Sequence, residues 1–112
     1  MAQNNIGTAL RTLGMREDDP ARLVAAVQAH EAALGGYTRI WPLQRAMTQE
    51  NIAIAELALA QHAATADSKP HLTRALGHVT SALEVYDPVQ TQFYYDKAVR
   101  LRDQVQAALA GG

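Results

Sequence analysis

Apolar residues recur along the chain at intervals of three and four, in runs separated by polar stretches that carry proline or glycine. This pattern predicts five helices and no strand. The first spans Gln3 to Gly14, with Ile6, Ala9, Leu10 and Leu13 on one stripe and Gly14 as a C-terminal stop. After the polar loop MREDDP, Asp19 is placed to cap a second helix that opens on Pro20, where the missing N–H costs nothing. Leu23, Ala26, Val27, His30, Ala33 and Leu34 form its stripe, and Gly35-Gly36 ends it. YTRIWP is a connector. The third helix is expected from about Pro42 to Ala64, and its middle, NIAIAELALA, is apolar nearly all round, so it should be covered from several sides. The loop TADSKP offers Asp67 or Ser68 as the cap of the fourth helix, which carries Leu72, Ala75, Leu76, Val79, Ala82 and Leu83. Asp87-Pro88 repeats the cap-and-proline device before the fifth helix, apolar at Phe93, Tyr94, Ala98, Leu101, Val105, Ala108 and Leu109 and running to about Ala110.

The first and third helices are nearly the same helix. Met1, Gln3, Asn5, Ile6, Ala9 and Leu13 recur as Met47, Gln49, Asn51, Ile52, Ala55 and Leu59. The second recurs in the fourth: Leu23, Ala26, Ala33, Leu34 and Tyr37 reappear as Leu72, Ala75, Ala82, Leu83 and Tyr86. A helical hairpin written twice in register, with a further helix after it, predicts a short α-solenoid, in which each hairpin buries its apolar face on the next.

Composition sharpens this picture. Hydrophobic residues make up 48% of the 112, but aromatics only 5%. An alanine-rich, aromatic-poor chain suits closely approaching helices rather than a β-sandwich. The net charge of −1 gives no basic excess for a nucleic-acid surface. There is no cysteine, hence no disulfide, thiol nucleophile or thiolate metal site. No apolar run reaches the length of a membrane span and no signal-peptide pattern opens the chain, so the expected location is the cytoplasm.

The repeated hairpin resembles the tetratricopeptide repeat. Ile6-Gly7 sits where that family has a leucine–glycine pair, Leu10 where it has a tyrosine, and Leu13-Gly14 at its turn. Ala26, His30 and Ala33 fall on its alanine, aromatic and alanine positions. In the second copy these become Ile52-Ala53, Glu56, Ala75, Val79 and Ala82, with Ala53 and Glu56 departing from the motif. The stretch YTRIWPLQRAMTQ resembles the long linker of bacterial extended-repeat proteins. The resemblance implies one domain with repeat one at 1–37, a connector at 38–42, repeat two at 43–86 and a capping helix at 88–110. It also implies protein–protein interaction as the job. The rival reading is a fragment or terminal cap of a longer array, with only a scaffold role.

Little in the chain suggests an enzyme. His71 and His78 are two turns apart, His30 occupies a packing position, and no metal-binding motif is present, so neither metal nor cofactor is expected. The two serines, Ser68 and Ser81, lie in no nucleophile motif, and no glycine-rich loop follows a strand. FYYDK concentrates aromatics as a binding platform would, but Phe93 and one tyrosine are expected to pack inward with the other tyrosine wet.

The resemblance further implies a concave groove lined by the first helix of each repeat. Asn4, Thr8, Arg11 and Thr12 would face it in one copy, and Glu50, Ile54, Leu57 and Ala58 in the next. Family members that grip a terminal carboxylate use lysine and asparagine at two of these positions. Here they hold Asn4, Thr8, Glu50 and Ile54, which argues against a clamp of that kind. Ile54 and Leu57 make the groove partly apolar, suited to a peptide or helix from a protein partner unless the fifth helix covers them. Ile6 and Leu10, with few charges near them, are a candidate face for self-association as a two-fold dimer.

Overall fold

A computed structural model describes residues 10–12, 19–36, 42–62 and 65–111, and all regular structure in them is helical. Residues 10–12 are helical and belong to the first expected helix. Four further helices follow: α1 (Pro20–Gly36), α2 (Pro42–Gln61), α3 (Lys69–Leu83) and α4 (Gln92–Gly111). Each packs chiefly on the next in sequence, and α4 also touches α2. The molecule measures 38 × 32 × 20 Å, so its thin dimension takes about two helix diameters.

The expected caps form, with differences in detail. Asp19 Oδ1 accepts from the Ala21 N–H at 3.0 Å, tying the first turn of α1. Before α3, Asp67 rather than Ser68 supplies the side-chain bond, accepting from the Lys69 N–H at 3.1 Å, while Ser68 itself is in helical geometry. Asp87 accepts from the N–H groups of Val89 and Gln90 at 2.8 and 2.7 Å, which hold its carboxyl below the usual carboxylate range. Those bonds close a turn at 88–91 and α4 starts only at Gln92, four residues later than a helix opening on Pro88 would. Arg45, on α2, donates to the Leu34 carbonyl at 3.1 Å and so satisfies a C-terminal acceptor of α1.

Helix α2 is the spine, and the reason is written in NIAIAELALA. Ile52, Ala55 and Leu59 enter one buried cluster with Leu23 and Val27 of α1. Ala46, Ala53 and Leu57 enter a second with Leu72, Ala75, Val79 and Ala82 of α3 and Ala98, Leu101 and Val105 of α4. At about 100° per residue these two faces lie roughly 150° apart. Two apolar faces so far apart leave a helix polar only in narrow strips, which is the nearly all-round pattern of the sequence.

Three positions of α1 that repeat in α3 are buried alike in both copies. Leu23, Ala26 and Ala33 on α1 match Leu72, Ala75 and Ala82 on α3, all six shielded from solvent. Alanines there let helix axes approach closely. Replacing wholly buried Ala26 with leucine is expected to overpack the contact between paired helices and cost about 1–3 kcal/mol. For a chain of this size that lowers the melting temperature by roughly 4–12 °C. A melt that matches the parent would show that the helices meet in another register.

Candidate functional site

The strip of α2 between its two buried faces is where the candidate groove lies. Ile54, Ala58 and Gln61 follow one another at intervals of four and three, roughly a further 90° around the helix from Ala53 and Leu57. Opposite them α4 presents Lys97, Arg100, Leu101 and Gln104, again at helical spacing. The two helices touch only lightly, and between them is a cavity of about 300 Å³ whose wall is mostly apolar. Ile54 and Ala58 are half-buried along it, and Leu57, at 7% exposure, is its floor. The fifth helix therefore forms a wall of the groove and covers Leu57 without closing over Ile54.

Glu50 also lines this cavity, but at 2% exposure it is a buried acid at the head of the groove. The Tyr86 hydroxyl donates to its Oε1 at 2.8 Å, and Lys97 Nζ stands 3.3 Å from its Oε2. Burial pushes the Tyr86 phenol well above its ordinary range, and the Glu50 charge adds to this. Tyr86 in turn stacks on Tyr94, ring centres 5.6 Å apart. One acid thus joins α2, the end of α3 and α4 at the head of the groove.

Arg11 donates to Asn51 Oδ1 at 3.2 Å, beside the Ile54–Ala58 strip. Burial lowers its pKa and the Glu50 charge works against that. Leu10 is half-buried and Thr12 exposed. Asn4, Ile6 and Thr8 lie outside the described residues. The structure therefore brings together Glu50, Ile54 and Leu57, with Arg11 close by through Asn51.

Three features escaped the sequence reading. The α4 wall did, because nothing in the spacing of Lys97, Arg100 and Leu101 says which helix they will face. The second is Glu56, also 2% exposed, which accepts from Arg74 Nε and lies 3.0 Å from His71 Nδ1, both on α3. His71 Nδ1 is also 3.0 Å from an Arg74 guanidinium nitrogen, so the imidazole, the guanidinium and the carboxylate form one cluster. The third corrects an expectation: Phe93 is 71% exposed, while Tyr94 and Tyr95 are both half-buried. The capped turn at 88–91 sets the phase of α4, placing Tyr94 on Tyr86 and turning Phe93 outward, edge-on to Tyr94.

Among the described residues no three histidine or carboxylate side chains come together in a way that could hold a metal, and no helix is long and apolar enough to cross a membrane. The chain matches no family model, no curated protein and no solved structure.

Proposed function

We propose that the chain is a short tetratricopeptide-like module whose work is to bind another protein in the groove between α2 and α4. The fold part of this reading is supported by the repeat itself, since Leu23, Ala26 and Ala33 share their burial with Leu72, Ala75 and Ala82. The functional part rests on one observation: a mostly apolar cavity of about 300 Å³, open to solvent, between two helices that barely touch. Two helices with apolar facing residues would normally close on each other; here Ile54 and Ala58 stay half-buried. A third element laid in the gap would bury them, which is the helix-in-groove mode of recognition.

The test is site-specific cross-linking in the native cell. A photoreactive residue in place of Ile54 is expected to capture another protein, whereas the same residue at exposed Asp103 should not. In a chain labelled at Ala58, Ile54→Asp is expected to abolish the capture with the melting temperature unchanged. Equal capture at both label sites, or capture that survives Ile54→Asp, would sink the groove as the binding site.

A further inference from the structure

The chemistry around the groove says what kind of partner fits it; this inference rests on the groove reading and deepens it. The chain as a whole is slightly acidic, with a net charge of −1, yet cations gather here. Lys97 and Arg100 stand one turn apart on the α4 wall, and Arg11 sits on Asn51 on the other side of the Ile54 strip. Among the described residues the only acid in the lining is Glu50, and it is engaged: buried, with the Tyr86 hydroxyl at 2.8 Å and Lys97 at 3.3 Å. Asp103, further along α4, pairs with Arg102 at 3.4 Å. Arg100 is exposed and makes no ion pair with any described residue. Lys97 gives its inner side to Glu50 while its side chain stays 44% exposed.

A basic partner would be repelled by this arrangement. A purely apolar one would desolvate Arg100 without replacing its water. We propose that the occupant is a short acidic segment of another protein. One or two of its apolar side chains lie between Ile54 and Leu101, and a carboxylate reaches Arg100 and the outer side of Lys97. Charge complementarity of this kind chooses the partner and speeds encounter, while the apolar floor holds it. The volume, at the low end for ligand pockets, suits a few side chains rather than a bulky cofactor.

A random-peptide library displayed on phage and selected on the whole chain tests this. The selected pool is expected to join aspartate or glutamate to leucine, isoleucine or phenylalanine. Arg100→Glu alters an exposed, unpaired side chain and should melt like the parent. It is expected to weaken the acidic peptides about tenfold and to select basic ones instead. Ile54→Asp should abolish binding of the pool. A pool that needs Ile54 but shows no acidic preference, or no response to Arg100→Glu, overturns the acidic partner and leaves the groove standing. A pool that binds Ile54→Asp as well as the parent, or no enriched pool at all, overturns both. A dimeric mass by light scattering that Ile54→Asp abolishes would put a second copy in the groove and equally overturn the acidic partner.

Discussion

Replacing Arg74 with alanine is expected to destabilise the protein by roughly 2–4 kcal/mol, far more than removal of an ordinary surface arginine. The difference lies in what it leaves behind. Glu56 projects from α2 with only 3% of its side chain exposed, and among the described residues it is met by Arg74 and His71 of α3. Removing one partner of a buried pair typically costs about 3–5 kcal/mol, because the remaining charge has neither water nor counter-ion. The expected loss is smaller because half of the Arg74 side chain is exposed and His71 stays 3.0 Å from the other oxygen. Urea unfolding measures it, with an unchanged denaturant slope showing that the loss is in stability and not in the unfolded state.

The double variant Glu56→Leu with Arg74→Met separates two meanings of that loss. An apolar replacement of both partners is expected to recover most of the stability, to within about 1 kcal/mol of the parent. The pair then serves chiefly to fix how α3 is rotated on α2, since one carboxylate meets two side chains a turn apart, His71 and Arg74. An Arg74→Ala variant within a few tenths of a kcal/mol of the parent would mean that water reaches Glu56.

Helices and their partners were legible to different depths, and for physical reasons. The apolar periodicity of α1 and α3 tells which side is buried, because an interval of three and four has one interpretation on a helix. The caps at Asp19 and Asp87 were legible because they are local: donor and acceptor are two or three residues apart. Glu50 and Glu56 were not. Their burial depends on Tyr86 and Lys97, and on His71 and Arg74, which come 15 to 47 positions later in the chain. A glutamate amid alanines and leucines looks the same whether it meets water or a cation. Half of the groove was legible on the same grounds. Ile54 and Leu57 announce an apolar strip, but its second wall is set by the phase of α4, which four residues of capped turn shift. Phe93 shows the sensitivity: a change of one residue in that phase moves a side chain about 100° around the helix.

Acid is expected to unfold this protein earlier than its surface alone would require, and His30 is the reason. Its ring lies on α1 with 0% exposure, and burial, helped by the nearby Arg11 charge, pushes its pKa down to about 4. An exposed histidine in the unfolded chain titrates near 6.5. The folded pKa is therefore the lower one, so between pH 6.5 and 4 the unfolded chain binds the proton and the folded chain does not. Stability must then rise with pH across that window. The contribution is complete above pH 6.5 and is lost as pH falls toward 4, reaching roughly 3 kcal/mol at full depth. His78, lowered chiefly by burial, acts in the same direction. The check is the slope of unfolding free energy against pH, for the parent and for His30→Leu. Whatever leucine does to packing offsets the whole curve by a constant, so the slope isolates the titration. The variant is expected to lose the His30 share of the slope and to gain on the parent steadily as pH falls from 6.5 to 4. Parallel curves through that window would show that His30 is protonated in the folded protein as readily as in the unfolded one.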